Sequence, residues 1–262
     1  MSDDVDRLGH VEPQDFWQSL RSSTQARIGL GRAGSALPTH RLLEFTAAHA
    51  AARDAVHTPL DVETFALGVQ SVGLGAPSVV TSRAADRGEY LRRPDLGRLP
   101  QDLSSIRRGT ADIGFVLADG LSSRALKDHG VPLLRALRAA LSAYALAAPV
   151  IATQARVALG DHIAVAMGVG TVIVLIGERP GLSVADSIGI YLTHRPRIGC
   201  ADSERNCVSN VHPPEGLGYD QAAYTVANLV TGARALGASG VMLKDTSRDD
   251  AVVESARSKR LA

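Results

Sequence analysis

Residues Val172 to Ile176 read Val-Ile-Val-Leu-Ile, five aliphatic side chains in an unbroken row. A strand turns successive side chains to opposite faces, so such a row reads as a strand buried on both sides. That arrangement needs helices above and below a sheet. The composition agrees: 45% of the 262 residues are apolar and only 4% are aromatic, with Ala, Val, Leu and Gly dominant. Such a balance suits closely packed α/β layers better than a β-sandwich. The row stops at Gly177, and Pro180 and Gly181 turn the chain. Glu178 and Arg179 therefore stand at the carboxyl end of a central strand, where open parallel sheets bind ligands. A carboxylate there is costly unless it accepts hydrogen bonds or faces a ligand.

The formal net charge is +1, so no general field draws nucleic acid or anionic membrane to the surface. The basic residues from Arg83 to Arg98 are interrupted by Asp86, Glu89 and Asp95, which reads as a solvated, salt-bridged face. Two cysteines make no disulfide framework, and the expectation is a reduced, cytoplasmic chain. The opening Met-Ser-Asp-Asp lacks an apolar signal core. No stretch approaches the ~18 apolar residues of a membrane span.

Periodicity divides the chain. Residues 1–60 read as an N-terminal helical arm, with residues 1–12 polar and loose. Helical spacing runs from Gln14 to Arg27, with Phe16 and Leu20 on one side. A loop spans Gly29 to Pro38. A helix capped by Thr39 continues to about Val56, with Leu42, Leu43, Phe45 and Ala47 toward its buried side. Residues 61–245 read as an α/β domain. Strands are expected at Asp112 to Leu117, Pro149 to Ala152, Val172 to Ile176 and Ile188 to Leu192. Helices are expected after a cap at Ser122 or Ser123, over Val131 to Ala147, over Asp161 to Met167 and over Asp220 to Leu236. This alternation implies a Rossmann-like, mostly parallel sheet flanked by helices. Residues 246–262 form a charged tail.

Several motifs offer chemistry. Gly29-Leu-Gly-Arg-Ala-Gly34 spells a dinucleotide fingerprint, but that motif needs a strand before it and a helix directly after it. A helix precedes it here and Pro38 follows, so a loop exploiting positive φ and close packing fits better. His194, Cys200, Cys207 and His212 are separated by five, six and four residues, without the tight pair that zinc sites use. Cys207 has no strand-to-helix elbow that would mark a nucleophile. Asp119-Gly120 and Ser122 sit at a second strand end and could line the same crevice as Glu178. Glu178 itself could be a partner of Arg179, a structural acceptor or a ligand contact.

Two segments together carry a resemblance: Gly177-Glu-Arg-Pro-Gly-Leu182 and Ser203-Glu-Arg-Asn-Cys207-Val-Ser-Asn-Val-His212. They resemble the ethanolamine ammonia-lyase small (light) subunit family. Ala26-Arg-Ile-Gly-Leu-Gly-Arg-Ala-Gly34, Tyr90-Leu-Arg-Arg-Pro-Asp-Leu-Gly97 and Ala118-Asp-Gly-Leu-Ser-Ser123 match it in the family's order. The resemblance implies a carbon–nitrogen lyase that converts ethanolamine to acetaldehyde and ammonia with adenosylcobalamin, whose Co–C bond breaks homolytically. It implies a hetero-oligomer in which a large β/α-barrel subunit holds the substrate and this subunit covers the cobalamin at the interface. It assigns cobalamin contacts to Val157 through its main-chain amide, to Glu178 and to Cys207. It assigns no catalytic residue and no metal ligand to this chain. The D-x-H-x-x-G motif of the cobalamin mutases is absent, in keeping with a cofactor that retains its own base. The implied localisation is cytoplasmic, free or inside a bacterial microcompartment. Two rivals stand beside this: a self-sufficient NAD(P)-dependent α/β oxidoreductase, and a carrier without a partner. The apolar arm residues Phe16, Trp17 and Leu20 speak for a partner that covers them.

Overall fold

A computed structural model describes residues 13–245, so the expectations for residues 1–12 and 246–262 lie outside it. At its centre is the aliphatic row, inside strand β4 (Thr171–Gly177), which is buried at every position. β4 lies between β2 (Ile113–Ala118), parallel to it, and β5 (Ile188–His194), antiparallel to it. β3 (Val150–Thr153) and β1 (Ser78–Thr81) extend the parallel side, and β6 (Asn206–Val211) extends the other. The order across the sheet is β1-β3-β2-β4-β5-β6, with three parallel pairings and two antiparallel ones. The domain is therefore α/β with a mixed sheet.

The alternation within β4 separates two cores. Ile173 and Leu175 join a cluster with Leu133 and Leu137 of α5 (Ser123–Ala140) and Val226 and Val230 of α7 (Tyr219–Leu236). Val172, Val174 and Ile176 join another with Leu159 and Ile163 of α6 (Leu159–Met167). Burying one such side chain contributes roughly 1.5–3 kcal/mol, so the row anchors both layers at once.

Several elements depart from expectation. β1 and β6 are additional strands. β1 has only four residues, too few to show an alternation. β6 is a polar edge strand in which Val211 is its only buried residue, so it lacks the aliphatic signature. The helix expected at Val131 is not separate: α5 runs unbroken through Pro132. A proline there removes one helical hydrogen bond, but Leu126, Leu133, Leu134 and Leu137 are all fully buried, and their packing outweighs that loss. The first helix, α1 (Pro13–Ser22), ends before Arg27. In α2 (Thr39–His57) the cap position belongs to Pro38, without a side-chain bond, and only Ala55 is buried. Leu42, Leu43 and Phe45 are exposed rather than packed. Two short helices, α3 (Val62–Gln70) and α4 (Arg87–Arg92), are capped by the carboxylates of Asp61 and Asp86.

The glycine-rich loop behaves as its context suggests. Gly29, Gly31 and Gly34 all have positive φ, and a Cβ on Gly29 would lie 2.2 Å from the Trp17 ring. The loop joins α1 to α2, ahead of the first strand at Ser78, so the dinucleotide geometry is not met. Among the described residues, no helix is long and apolar enough to cross a membrane.

One ion pair fixes the edge of the sheet. Arg205, just before β6, makes a bidentate contact with Asp161 of α6 at 2.6 and 2.7 Å, and both side chains are 1% exposed. The guanidinium also donates to Thr193 Oγ1 at 3.0 Å and to the Cys200 carbonyl at 2.9 Å. Arg205→Met should therefore cost about 3–5 kcal/mol by leaving Asp161 charged and unpaired in the core. The double change Asp161→Leu with Arg205→Met should recover most of that loss. Urea unfolding followed by circular dichroism measures both, and an Arg205→Met chain as stable as wild type would refute the role given to the pair.

Candidate functional site

The carboxyl ends of β2, β3 and β4 meet at one edge of the sheet. Their closeness depends on two glycines. A Cβ on Gly120, where φ is +55°, would lie 2.2 Å from the Gly177 carbonyl oxygen. A Cβ on Gly177 would lie 2.0 Å from the Ser122 carbonyl oxygen. The Leu121 N–H donates to Gly177 O at 2.9 Å and sews the two strand ends together. Ser122 caps α5 by accepting from the Ala125 N–H, and its hydroxyl donates to Ala185 O at 2.8 Å. Above this floor opens a cavity of about 310 Å³, bordered by Tyr90, Arg156, Val157, Glu178, Arg179 and Tyr191. A larger groove of about 540 Å³ lies between α2 and α5, but no strand contributes to it. The smaller cavity is the better candidate because strand ends and charged side chains converge there.

Val157 and Glu178 thus border the same cavity. Val157 follows β3 and leads into α6, and no hydrogen bond among the described residues engages its main-chain N–H. The Glu178 N–H donates to Ser187 O at 3.0 Å. Its Oε2 accepts from the Ser187 hydroxyl at 2.7 Å and from the Asn210 N–H at 3.2 Å. Glu178 is therefore a structural acceptor that ties the end of β4 to the start of β5 and to β6. It forms no ion pair with Arg179. Cys207 lies one strand further out, opposite Tyr191 and outside the cavity lining. Its residue surface is exposed, yet loss of hydration beside Tyr191 pushes the thiol up. The same burial, with the nearby Cys207 charge, pushes Tyr191 up to about 12.

Asp119 is buried beneath the cavity. It accepts from the N–H groups of Gln154 and Ala155 at 2.8 and 3.0 Å and faces Arg87 at 3.5 Å. Desolvation raises its carboxyl above the usual range despite these partners. His194 is bonded to Thr171 at 2.9 Å and His212 to Asn210 at 2.8 Å, and both cysteines are unpaired. Among the described residues, no group of three or more His, Cys, Asp or Glu is placed to hold a metal ion.

Against known proteins, the chain matches the family model for the ethanolamine ammonia-lyase light chain (EutC) over residues 14–244. It belongs to the ethanolamine ammonia-lyase light-chain family. It is 71% identical to an ethanolamine ammonia-lyase small subunit of Rhodococcus erythropolis over 239 residues, covering 91% of this chain and 93% of that one. It is 43% identical to the small subunit of Ralstonia nicotianae, with 94% of each chain covered. The small subunit of Bradyrhizobium diazoefficiens is 48% identical, over 88% of this chain and 91% of the relative.

In this light-chain domain the cavity wall includes side chains that sequence reasoning missed. Tyr90 is fully buried, and its hydroxyl donates to Ala155 O at 3.0 Å. The guanidinium of Arg87 lies 4.8 Å from its ring centroid and that of Arg156 lies 4.5 Å away. Arg87 also donates to Val56 O at 2.6 Å and Gly120 O at 2.8 Å. The expected salt-bridged surface is therefore half right: Arg93 pairs with Asp95 at 2.7 Å in solvent, but the Arg87 side chain is only 14% exposed. The signal in the sequence was a tyrosine at helical spacing from its own cap, between two arginines, and that pattern alone does not distinguish a buried face from a wet one.

The thiol shift has a measurable consequence. Alkylation of Cys207 by iodoacetamide, followed by peptide mass spectrometry, should rise with pH through a midpoint above the ~8.5 of an ordinary cysteine. Tyr191→Phe should move that midpoint higher still, since the phenol hydrogen bond favours the thiolate. A midpoint at or below the ordinary value would show that the thiol is not shielded.

Proposed function

We propose that this chain is the small subunit of an adenosylcobalamin-dependent ethanolamine ammonia-lyase, which converts ethanolamine to acetaldehyde and ammonia. In this reading it pairs with a large barrel subunit in a higher-order hetero-oligomer and covers the cobalamin at their interface. The observation that carries the proposal is the strand-end cavity: Val157 and Glu178, two residues to which the family resemblance gives cofactor contacts, border it together. When bound, the cofactor supplies the radical chemistry. This chain's residues bind and orient it and keep water out.

The residues present suit such a group. Cobalamin carries many amide side chains, which both donate and accept. The Val157 N–H is an uncommitted donor. Glu178 has its Oε2 held by Ser187 and Asn210, which aims the carboxylate and leaves Oε1 to accept from an amide. Cys207 lies beside Tyr191, and its small polarizable side chain lets a flat macrocycle edge approach. No residue here needs to act as acid, base or nucleophile.

The reading extends to the whole chain. A Rossmann-like domain of residues 61–245 bears the cofactor crevice. Residues 1–60 form the arm, and exposed Phe16, Trp17, Leu20, Leu42, Leu43 and Phe45 on α1 and α2 are the surface that the large subunit covers. The NAD(P)-dependent oxidoreductase reading has no support, because the glycine-rich loop lies between two helices.

Acetaldehyde release tests the function directly. The purified chain with adenosylcobalamin and ethanolamine should be inactive, and the co-purified complex with the large subunit should turn over. Turnover by the chain alone, or none by the complex, would overturn the proposal. Glu178→Gln tests the site. The amide replaces one carboxylate oxygen with a donor, so cobalamin affinity of the complex should fall roughly 10- to 100-fold. The remaining carbonyl can still serve Ser187 and Asn210, so stability should drop by no more than about 1 kcal/mol. Spectral titration and thermal melting separate the two effects, and an unchanged affinity would remove Glu178 from the site.

A further inference from the structure

The cavity at the strand ends carries positive charge that no ion pair among the described residues answers. Two guanidiniums, Arg156 and Arg179, line it. Neither takes part in any of the ion pairs among the described residues. The nearest acids pair with neither arginine. Glu178 receives Ser187 and Asn210 on one oxygen, and Asp119 is held by Gln154, Ala155 and Arg87. Arg156 itself is under-used. Of its five N–H donors, only one has a partner, the Tyr90 carbonyl at 3.5 Å, and its Nε is buried with none. Yet its position is fixed. Its guanidinium stacks 4.5 Å from the Tyr90 ring centroid. Its main-chain N–H donates to Gly97 O at 2.8 Å, and its stem packs so closely on Gly97 that a Cβ there would lie 3.0 Å from Arg156 Cγ. Holding a cation rigid, in one cavity with another and paired to no acid, is unfavourable unless an anion completes the site.

We infer that Arg156, supported by Arg179, binds the phosphodiester of the cofactor's nucleotide loop. This rests on the cobalamin reading above. The chemistry selects the group: corrin amides are neutral, and the phosphodiester is the one anion that the nucleotide loop carries. A planar fork of N–H donors is suited to its paired oxygens. Arg156 therefore recognises the loop, while Val157 and Glu178 address the corrin amides.

Two corrinoids distinguish these roles. Cyanocobalamin has the nucleotide loop, and dicyanocobinamide lacks it. Both are titrated spectrally against the complex of this chain with the large subunit. Arg156→Met should weaken cyanocobalamin binding roughly 10- to 100-fold and leave cobinamide binding unchanged. Arg156→Lys should fall between, because it keeps the charge and loses the fork. Arg179→Ala, at an exposed position where folding is not at risk, should cost roughly 1.5- to 5-fold for cyanocobalamin alone. Equal losses for both corrinoids would mean that Arg156 only supports the fold, and no loss would mean that it touches no ligand. Either result overturns the assignment while leaving the cobalamin reading standing. A wild-type complex that binds neither corrinoid would instead bring down the cobalamin reading, and this assignment with it.

Discussion

Every residue from Thr171 to Gly177 is shut away from solvent, and that burial governs where chemistry can occur. A strand covered on both faces offers no side chain to a ligand along its length. The first charged side chain able to meet one lies just beyond it, Glu178. β2 is also buried throughout, and the first polar residue after it, Asp119, is buried beneath the same edge. Both strands run the same way and stop at the same level, Ala118 opposite Ile176. The polar ends therefore gather at one edge without any special device.

Holding that edge together falls to a few charged side chains that reach across layers. Arg205 joins β5, β6 and α6 through one guanidinium. Arg87 joins α4 to the end of α2 and to the β2 turn. Glu178 joins three consecutive elements through one oxygen and its own N–H. Each is a polar group placed where aliphatic packing ends, and each bonds to several partners, although Arg87 Nη2 and Arg205 Nε are buried without one. Their shared geometry makes the cavity wall stiff on its β4 to β6 side and on its α4 side.

What the sequence revealed follows burial symmetry. β4, β2, α6 and α7 were legible because their apolar residues recur with the period of the element and face a core. β6 was not, since an edge strand buries little and its residues are polar. α5 was read as a capped helix followed by a separate segment from Val131, but it runs on through Pro132, a continuity that only the tertiary packing of four leucines reveals. Glu178 was legible from its place after the aliphatic row. Tyr90 and Arg156 were not: they are 66 residues apart and meet only because α4 folds over the end of β3. Exposed Leu42, Leu43 and Phe45 carry helical spacing without a core behind them, so periodicity identified the helix but not the fate of its face.

The floor of the cavity at Gly120 and Gly177 has one more consequence, which concerns how such a site can change. Neither position tolerates a Cβ, so at these two points, between Leu121 and Ile176, the cavity is bounded by bare main chain. Main-chain groups are the same whatever the residue, and a floor built from them cannot be retuned by substitution. Variation falls instead to the rim, where exposed Arg179 can differ without moving the strands. A site of this construction can alter its taste for a ligand's peripheral groups over generations while the depth and shape of its seat stay constant.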